Sequence, residues 1–435
     1  MLNASNGTRI VIVGGGAGGL ELASALARNR QLRLAPNVVL VDQHVSHLWK
    51  PRLHEVAVGL QSVAEEEVSF FSHALRHGYQ FEWGALEGVD TTEKMVALRS
   101  VLASTGAEIL PARKIPYDVL VLSIGSQAND FGTEGAREHC LFLNDREDAL
   151  KIRTNLLTKV LRLARGFIPS LDVAVIGGGA TGVELIADFY RTVEQVGTYG
   201  GTIAADSLRL TVIDAGERLL ATGPIEVSTY AAQALRKLGV QILASSKVIR
   251  VCADRIELAN GRSVAADLSI WTAGIKGPPH VRGLEHMPVS PNGRLIVDKH
   301  LRTADANIFA LGDCASWLDP DTGRAAPFTA QVASAQATYL ARLLREELRG
   351  RSVDAFRFQS AGGLVALGDK TAAGNLTSRI GKRSREHIVQ GVSAKWLYAL
   401  LYRQHQTRVH GLFATLGIMV SDWATRKVRP TLKLH

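Results

Sequence analysis

The sequence predicts an α/β protein in which two doubly wound, parallel-sheet domains are followed by a separate C-terminal module. Three observations lead to this prediction. A unit of strand, glycine-rich turn, helix and second strand occurs twice, about 163 residues apart. The chain has 435 residues, more than one compact domain normally holds. The last 65 residues carry the whole net charge of +9, because eleven Lys and Arg stand there against two acids.

The composition is that of an ordinary globular protein. Hydrophobic residues make up 46% of the chain and charged residues 21%, which excludes a disordered protein. Three cysteines without a C-x-x-C pair exclude a disulfide scaffold, a paired-thiol redox motif and a Cys-rich zinc site, and they favour a reducing compartment. The polar residues 1–8 predict no secretory signal, and the lack of an 18-residue apolar window predicts no transmembrane helix.

The first unit begins at residues 9–13 (RIVIV), a β-branched run typical of a buried parallel strand. Gly14, Gly16 and Gly19 follow in the spacing G-x-G-x-x-G. In this motif the first glycine permits a tight turn, the second lets the backbone approach a pyrophosphate, and the third lets the helix pack against the strand. We expect a helix at about residues 19–29 and a strand at 38–41, which places Asp42 where it accepts a hydrogen bond from a ribose hydroxyl.

The second unit repeats this order with Gly177, Gly179 and Gly182. We expect strands at residues 173–176 and 210–213, a helix through 196, and an inserted loop at 197–207 (GTYGGTIAADS). Asp214 ends the second of these strands. An acid at this place favours NADH over NADPH, because it binds the 2′-hydroxyl and repels a 2′-phosphate, whereas the nearby Arg218 is the argument for NADPH.

Further elements return the chain to the first domain. Residues 117–124 (YDVLVLSI) predict a buried strand before Gly125, and residues 307–311 (NIFAL) predict another before Gly312 and Asp313. A helix is expected from residue 329 to about 348, and the composition changes near residues 350–354.

Two dinucleotide-binding units imply two dinucleotides. Their placement, one at the N-terminus and one in mid-chain, is typical of flavoproteins that bind FAD and a nicotinamide dinucleotide. The pair Gly312 and Asp313 follows a buried strand directly, and the carboxylate of Asp313 suits the ribityl chain of a flavin. We therefore predict an FAD domain in residues 1–165 and 291–350, an NADH domain in 166–290 and a C-terminal module in 351–435.

The basic C-terminal module contains two apolar segments, residues 396–402 (WLYALLY) and 411–420 (GLFATLGIMV). Aromatic and aliphatic residues beside Lys and Arg predict amphipathic helices that lie in an anionic membrane surface. The alternative is a dimer-forming or core-packing helix pair, which would make a homodimer the partner. Nucleic acid is disfavoured, because the interleaving residues are aliphatic and no recognition motif is present.

Short motifs along the chain carry a family resemblance: residues 47–51 (HLWKP), 53–57 (LHEVA), 129–132 (NDFG), 138–140 (EHC), 177–184 (GGGATGVE), 271–275 (WTAGI), 308–314 (IFALGDC), 330–333 (AQVA) and 432–435 (LKLH). Through them the chain resembles the type II NADH dehydrogenases, the single-subunit NADH:quinone oxidoreductases of bacterial membranes. The resemblance implies two Rossmann-like domains, one for FAD and one for NADH, and a peripheral attachment to the cytoplasmic face of the cell membrane. It also implies quinone reduction in a respiratory chain without proton pumping.

The resemblance implies a set of binding residues as well. For FAD these are Gly14, Gly15, Gly16, Ala17, Gly18, Gly19, Asp42, Gln43, Lys50, Leu86, Gly125, Asp313, Ala330 and Ala333. For NADH they are Gly177, Gly179, Gly182, Glu184 and Asp214, with Ala273 and Gly274 near the nicotinamide.

The quinone motif of that family is Ala-Gln-x-Ala-x-Gln, and this chain reads AQVASAQ at residues 330–336. Gln331 matches the first glutamine, whereas Gln336 comes one position late and is expected to face elsewhere, since one helical step is about 100°. Glu184 can ionise, so we expect a proton or gating role, the alternative being a helix-surface acid. Lys370 lies in a segment that in some relatives supplies a lysine near the quinone.

Two alternative functions remain open from the sequence. A sulfide:quinone oxidoreductase of the same fold needs a redox cysteine pair near the flavin, and Cys140, Cys252 and Cys314 are isolated and read as inert buried thiols. A non-catalytic NADH-binding redox sensor would signal through the basic tail. No His, Cys and Glu spacing predicts a metal site, so His47 and His54 are interpreted as structural.

Overall fold

The structure is a computed structural model that describes residues 7–28, 37–198, 203–204, 206–278, 281, 283–368, 371–380, 383–425 and 432, without the side chains at 198, 379, 380, 383 and 384. The chain forms two compact units, and each is assembled from three separate segments. The first unit comprises Met1–Trp49, Glu67–Gln127 and Lys276–Gln359. The second comprises Lys50–Glu66, Ala128–Ile275 and Ser360–His435.

The first unit is organised by a five-stranded parallel sheet. In spatial order its strands are Ile308–Ala310, Val119–Leu122, Arg9–Val13, Asn37–Asp42 and Gln80–Trp83. In the register of the sheet, Ile12 lies between Leu40 on one side and Val121 on the other. The apolar residues of the three central strands are buried, as expected for a parallel sheet with both faces covered.

Helices and smaller sheets surround this core. The helices are Ala17–Ala27, Phe70–His77 and Ala330–Leu348, and the first and last of them pack against each other. A three-stranded antiparallel sheet consists of Leu86–Asp90, Met95–Leu98 and Arg113–Pro116. Three strand pairs, Ser46–His47 with Val68–Ser69, Val101–Leu102 with Glu108–Leu110 and Leu295–Ile296 with Ala315–Ser316, and the 3-10 turn Gly312–Cys314 complete the unit.

The second unit repeats the order of four of these strands, but its fifth strand, at the edge, comes first along the chain and not last. The strands of its parallel sheet are, in spatial order, Cys140–Phe142, Leu268–Trp271, Leu171–Ile176, Leu208–Ile213 and Gln241–Leu243. It too has a three-stranded antiparallel sheet, Val248–Val251, Arg255–Leu258 and Ser263–Ala265. Its helices before residue 360 are Lys50–Arg52 (3-10), Leu53–Ala57, Val63–Glu66, Ala136–His139, Arg146–Ala164, Ala180–Thr198 and Ile225–Lys237.

The C-terminal segment of the second unit adds a sheet and two helices. The antiparallel strands are Gly362–Ala366, Ala372–Ile380 and Arg383–Gly391, and the helices are Val392–His410 and Leu412–Thr425. The helix Val392–His410 packs on all three strands, and Ala180–Thr198 packs on the first of them. The two-residue strands Gln127–Ala128 and Ile275–Lys276 lie where the chain passes from one unit to the other.

The predicted α/β class with two parallel sheets is confirmed, and the bounds differ in detail. The first helix begins at Ala17, not at residue 19, because Gly18 and Gly19 already belong to its first turn. The predicted boundaries at residues 165, 290 and 350 assign one domain to FAD and one to NADH, and this assignment stays a prediction. The compact units change over at other places, since the strand Cys140–Phe142 pairs with Leu268–Trp271 and draws residues 128–165 into the second unit.

Candidate functional site

The first glycine loop, Gly14 to Gly19, closes the central strand of the first sheet. Gly14 has φ +103°, a conformation that glycine adopts freely, and its N–H donates to the carbonyl of Val41 at 2.8 Å. A Cβ at Gly19 would lie 1.8 Å from the carbonyl oxygen of Gly14, so helix and turn approach more closely than any side chain allows. The helix Ala17–Ala27 therefore starts directly at the end of the strand.

The second glycine loop, Gly177 to Gly182, has the same geometry in the second unit. Gly177 has φ +119° and donates to the carbonyl of Ile213 at 2.8 Å. A Cβ at Gly182 would lie 2.0 Å from the carbonyl oxygen of Gly177. The repeat seen in the sequence is thus a repeat of hydrogen bonds and contacts.

One carboxylate supports each loop. The two oxygens of Asp42 accept from the N–H of Gly15 at 2.6 Å and of His44 at 2.8 Å. Asp214 accepts in the same way from the N–H groups of Gly178 and Gly216. A carboxylate has about four acceptor positions, so each can hold its loop and still accept from a ribose hydroxyl.

The space beside both loops fits a dinucleotide. A Cβ added at Gly16 or Gly179 would meet no atom within 4 Å. Each loop also runs into a helix N-terminus, where unpaired N–H groups and the helix dipole favour a pyrophosphate. The open backbone, the helix N-terminus and the carboxylate are the parts that a dinucleotide needs, and both units have all three.

Arg218 is held by its own turn. Its guanidinium donates to the carbonyl groups of Leu220 at 3.3 Å, Ala221 at 2.8 Å and Gly223 at 2.7 Å. These bonds fix the guanidinium as a support of the backbone that follows Asp214. The guanidinium that would favour NADPH is therefore bound to the carbonyl groups of its own turn.

Ala273 lies against the second glycine loop, and Gly274 is the next residue along the chain. A Cβ at Gly177 would lie 2.6 Å from the backbone nitrogen of Ala273. On its other side Gly274 is covered by the ring of Phe131, because a Cβ at Gly274 would lie 2.3 Å from Phe131 Cζ. Phe131 belongs to the motif NDFG at residues 129–132, which indicated no separate role for it.

The return segment of the first unit positions Asp313 and the helix Ala330–Leu348. Asp313 Oδ2 accepts from Ser126 Oγ at 2.8 Å, one residue beyond Gly125. Thr329 caps the helix, and its side chain accepts from the N–H of Val332 at 3.3 Å. Ala330 and Gln331 thus form the first turn.

Ala333, Gln336 and Gln331 have different surroundings in this helix. A Cβ at Gly18 would lie 3.3 Å from the Cβ of Ala333, so Ala333 packs on the first glycine loop. Gln336 is completely buried, and its Oε1 accepts from the N–H of Gly312 at 2.6 Å. Gln331 is half-buried, so the two glutamines have different surroundings, as their spacing predicted.

The remaining FAD residues of the prediction lie on several elements. Leu86 begins the strand Leu86–Asp90 of the first unit, and Gln43 follows Asn37–Asp42, where its carbonyl accepts from Trp83 Nε1 at 3.0 Å. Lys50 is exposed in the 3-10 turn of the second unit. Lys370 lies outside the residues that the structure describes, as do residues 199–202 and 205 of the predicted inserted loop.

Glu184 is buried, which excludes the interpretation of a helix-surface acid. Its Oε1 accepts from the N–H of Ala366 at 2.9 Å, and its Oε2 lies 3.6 Å from His54 Nδ1. The Tyr398 hydroxyl also hydrogen-bonds it. Burial raises the pKa of Glu184, an effect that the His54 ring and these hydrogen bonds reduce but do not cancel. Asp188, four residues along the same helix, adds to the rise.

Sequence reasoning missed the partners of Glu184. His54 is 2% exposed, and its Nε2 lies 3.4 Å from Asp188 Oδ2, so the ring stands between two carboxyl groups. The spacing of Glu184 and Asp188 was the available signal, because residues four apart share a helix face. Nothing local connects them with His54 or with Tyr398, which come from distant segments.

A second ionic group lies beside this one. Arg52 donates to both oxygens of Glu55, at 2.5 Å and 3.1 Å, and lies 3.2 Å from Glu66, which accepts from the Tyr402 hydroxyl. Burial alone would raise the pKa of Glu55, but the guanidinium outweighs burial and lowers that pKa to about 2. His54, Glu55 and Asp188 offer ligand atoms within 4.8 Å of one another. Because both oxygens of Glu55 bind Arg52, we interpret the group as an ion-pair network.

The three cysteines are free thiols, and two of them are deeply buried. Burial raises the pKa of Cys140 to about 12 and that of Cys314 to about 11, so neither thiol ionises at neutral pH. Cys252 is only half-buried, so the prediction of burial was wrong for it.

The two C-terminal helices expose apolar side chains. In Leu412–Thr425 these are Leu412, Phe413, Leu416, Met419, Val420 and Trp423, and in Val392–His410 they are Val392, Trp396, Leu400 and Leu401. Spacings of three and four residues place all of them except Leu401 on one stripe of each helix. Among the described residues, no helix combines the length and the hydropathy needed to cross a bilayer.

Known proteins resemble this chain over nearly all of its length. The family model described as pyridine nucleotide-disulphide oxidoreductase matches residues 8–337. The type II NADH:quinone oxidoreductase of Haemophilus influenzae is 34% identical and aligns over 98% of this chain and 99% of its own. The demethylphylloquinone reductase NdbB of Synechocystis is 29% identical, over 98% of both chains.

Solved structures share the fold. NDH2 from Plasmodium falciparum in complex with NADH has a TM-score of 0.80 at 20% identity and covers 98% of this chain and 100% of its own. The sulfide:quinone oxidoreductase of Aquifex aeolicus has a TM-score of 0.74 at 19% identity, with coverages of 98% and 96%. At these identities the likeness is one of fold.

Proposed function

Because this chain belongs to the pyridine nucleotide-disulphide oxidoreductase family, and within it to the type II NADH:quinone oxidoreductases, it is an FAD enzyme that oxidises NADH and reduces quinone, and we propose that each glycine loop binds one dinucleotide. The redox chemistry would be that of bound FAD, namely uptake of hydride from NADH and transfer of electrons to quinone. The observation that supports one dinucleotide for each loop is that both sheets have the same three parts: a glycine loop, a helix N-terminus and a carboxylate.

The first loop holds FAD. Gly14 to Gly19 receive the pyrophosphate and Asp42 the adenosine ribose. Asp313 is supported by the Ser126 hydroxyl and binds the ribityl chain. The N-terminus of the helix Ala330–Leu348 would favour the negative charge that a reduced flavin carries.

The second loop holds NADH. Gly177, Gly179 and Gly182 receive the pyrophosphate, and Asp214 accepts from the 2′-hydroxyl of the adenosine ribose. The carbonyl bonds of Arg218 support the choice of NADH, because they leave Asp214 as the charge that a 2′-phosphate would meet.

Gln331 serves the quinone. It stands in the first turn of a helix that also packs on the first glycine loop through Ala333, and its amide is a hydrogen-bond partner for a quinone carbonyl. An amide does not supply a proton at neutral pH, so reduction of the quinone requires another group. Lys370 remains a second candidate for this role.

Glu184 is our candidate for that other group. A buried carboxyl group with a raised pKa holds its proton more strongly than a free one, and such groups are candidates for proton transfer. His54 and Asp188 hold it in place and couple its charge to theirs.

The C-terminal helices attach the enzyme to the cytoplasmic face of an anionic membrane. Their exposed apolar stripes suit burial at the level of the lipid headgroups, and the basic excess of the last 65 residues suits anionic lipid. Attachment of this kind lets the enzyme reach a quinone dissolved in the bilayer. The alternative occupant of these stripes is a second copy of the chain.

Three outcomes of one experiment test this function. The purified protein should show the visible absorption of an oxidised flavin, lose it on addition of NADH and regain it on addition of a water-soluble quinone. Quinone reduction by sulfide but not by NADH would favour the sulfide:quinone alternative, against which the buried Cys140 and Cys314 argue. NADH binding without bleaching of the flavin would favour a redox sensor.

A further inference from the structure

Phe131 is a large apolar residue that stands exposed in a backbone conformation unfavourable to its side chain. Its φ is +52°, and 66% of its surface is accessible. A left-handed φ is costly for a bulky residue and persists where the surroundings impose it, often at functional sites. This position therefore needs an explanation that packing of the core does not provide.

The surroundings impose the conformation through a short chain of hydrogen bonds. The N–H of Phe131 donates to Asn129 Oδ1 at 3.0 Å, and the N–H of Asn129 donates to the carbonyl of Gly274 at 3.2 Å. Trp271 Nε1 donates to the carbonyls of Asn129 at 2.9 Å and of Ala273 at 2.8 Å. The turn that bears Phe131 is thus fixed to the end of the strand Leu268–Trp271.

Continuous contacts lead from the second glycine loop to the ring of Phe131. Ala273 packs against Gly177, and the next residue, Gly274, packs against the ring. A side chain at Gly274 would collide with the ring, so the glycine permits the close approach of the ring to the backbone. The ring consequently belongs to the surroundings of the loop that binds the dinucleotide.

The order of strands decides which half of the dinucleotide lies nearer to Phe131. The strand that ends in the glycine loop, Leu171–Ile176, lies between Leu208–Ile213, which leads to Asp214, and Leu268–Trp271, which leads to Gly274. A dinucleotide with its adenosine ribose on Asp214 and its pyrophosphate on the loop extends its other half toward Gly274.

We propose that Phe131 binds the nicotinamide ring of NADH, packing its exposed face against that ring and limiting the orientations in which it meets the flavin. The proposal rests on the assignment of NADH to the second loop. Aromatic faces attract one another in offset stacks, and an apolar ring also excludes water from the reacting half of the dinucleotide. The strained backbone then serves to hold the ring outward in a fixed place.

A comparison of two ligands tests the proposal. NAD⁺ carries the nicotinamide and ADP-ribose lacks it, so the dissociation constants of both are measured by calorimetry on the FAD-loaded protein. Phe131→Ala should weaken binding of NAD⁺ about two- to tenfold and leave binding of ADP-ribose unchanged. Phe131→Tyr should bind NAD⁺ nearly as the parent protein does. Phe167→Ala is the matched control, because Phe167 is also exposed, at 74%, in the same unit.

Thermal unfolding separates binding from a structural role. Phe131→Gly relieves the left-handed φ and should keep or raise the Tm while it weakens NAD⁺ binding. A Tm that falls by several degrees, equal losses for NAD⁺ and ADP-ribose, or no loss for either, would each overturn the proposal. If the unaltered protein binds neither ligand, the assignment of NADH to the second loop fails instead.

Discussion

Single carboxylates in this molecule differ in what surrounds them, and their surroundings decide what they do. Asp42 and Asp214 stand at strand ends and use part of their acceptor capacity on loop N–H groups. Glu184 is enclosed by an imidazole, a phenol and a backbone N–H, and its pKa is raised by burial. Glu55 is also largely enclosed, yet the adjacent guanidinium lowers its pKa to about 2. Burial alone therefore does not predict the charge of a carboxyl group.

Asp214 should determine the choice of coenzyme. Asp214→Asn removes the negative charge that repels a 2′-phosphate and one strong acceptor for the 2′-hydroxyl. We expect kcat/KM for NADH to fall about tenfold or more and kcat/KM for NADPH to rise, because hydrogen bonds to charged groups contribute about 1.5–3 kcal/mol.

Arg218→Leu is the control for this prediction. Its guanidinium binds three carbonyl groups of its own turn, so its loss should affect both coenzymes alike. A selective loss of NADPH oxidation in Arg218→Leu would mean that the arginine does contact the phosphate.

Tyr398 should set the pH at which Glu184 changes charge. Its hydrogen bond favours the ionised carboxylate and so lowers the pKa of Glu184. Tyr398→Phe removes this bond, the pKa rises further, and the Glu184-dependent limb of the pH profile of quinone turnover should move toward higher pH. Glu184→Gln should abolish that limb.

Tyr402→Phe is the matched control, because Tyr402 lies one turn later on the same helix and bonds Glu66 instead. It should leave the limb in place. An equal shift in both tyrosine variants would point to disturbance of the helix and not to the hydrogen bond.

At the scale of elements, the helix Ala330–Leu348 bears two glutamines, and we expect them to have different roles. Gln336 faces inward and holds the N–H of Gly312, beside Asp313, whereas Gln331 lies in the first turn. We expect Gln336→Ala to lower the free energy of unfolding by about 1–3 kcal/mol and to weaken retention of FAD, since a buried N–H loses its acceptor.

Gln331→Ala should do neither. We expect its Tm to stay within a degree or two of the parent protein and its flavin reduction by NADH to be normal in stopped-flow traces, while reoxidation by quinone slows. Slow reduction with normal reoxidation would remove Gln331 from the quinone site.

Elements with strong local patterns could be predicted from the sequence, and those without them could not. Arg9–Val13 and Leu171–Ile176 are apolar β-branched runs followed by glycines, so their type and position were predictable within two residues. The three-stranded sheet that begins at Gly362 was not predicted, because its strands mix glycine, polar and charged residues. Its order comes from pairing between its strands and from the helix packed on it.

The residues of the candidate site also differ in whether a local pattern predicts them. Asp42, Asp214 and the glycines follow from one local motif. The contact of Glu184 with His54 joins segments 130 residues apart, and no periodicity in either segment indicates it.

At the scale of the whole molecule, charge and apolar surface coincide in the last part of the chain. We expect Phe413→Ser combined with Trp423→Ser to reduce co-sedimentation with anionic liposomes, because these side chains are 87% and 80% exposed and contribute burial in the membrane. High salt should weaken binding of the parent protein without abolishing it, since it screens only the electrostatic part, about 1 kcal/mol for each Lys or Arg near the surface.

Phe71→Ser combined with Leu75→Ser is the control, because both residues are exposed on a helix of the first unit. Liposome binding that drops equally in this variant, or that persists in the Phe413 and Trp423 variant while the protein changes from dimer to monomer, would favour a dimer interface. Substitution is a better test than removal of both helices, because Tyr398 and Tyr402 belong to the network around Glu184 and Glu55.

The distribution of strands along the chain has a consequence for synthesis on the ribosome. All five strands of the second parallel sheet lie between residues 140 and 271, whereas the first sheet lacks its edge strand until Ile308–Ala310 has been made. The neighbouring strand Val119–Leu122 is wholly apolar and ends 188 residues before residue 310. At a synthesis rate of about 5–20 residues per second, its edge stays unpaired for roughly 10–40 s. The sheet that begins first along the chain is completed last, and during that interval its unpaired edge exposes backbone N–H and carbonyl groups to which another chain can pair.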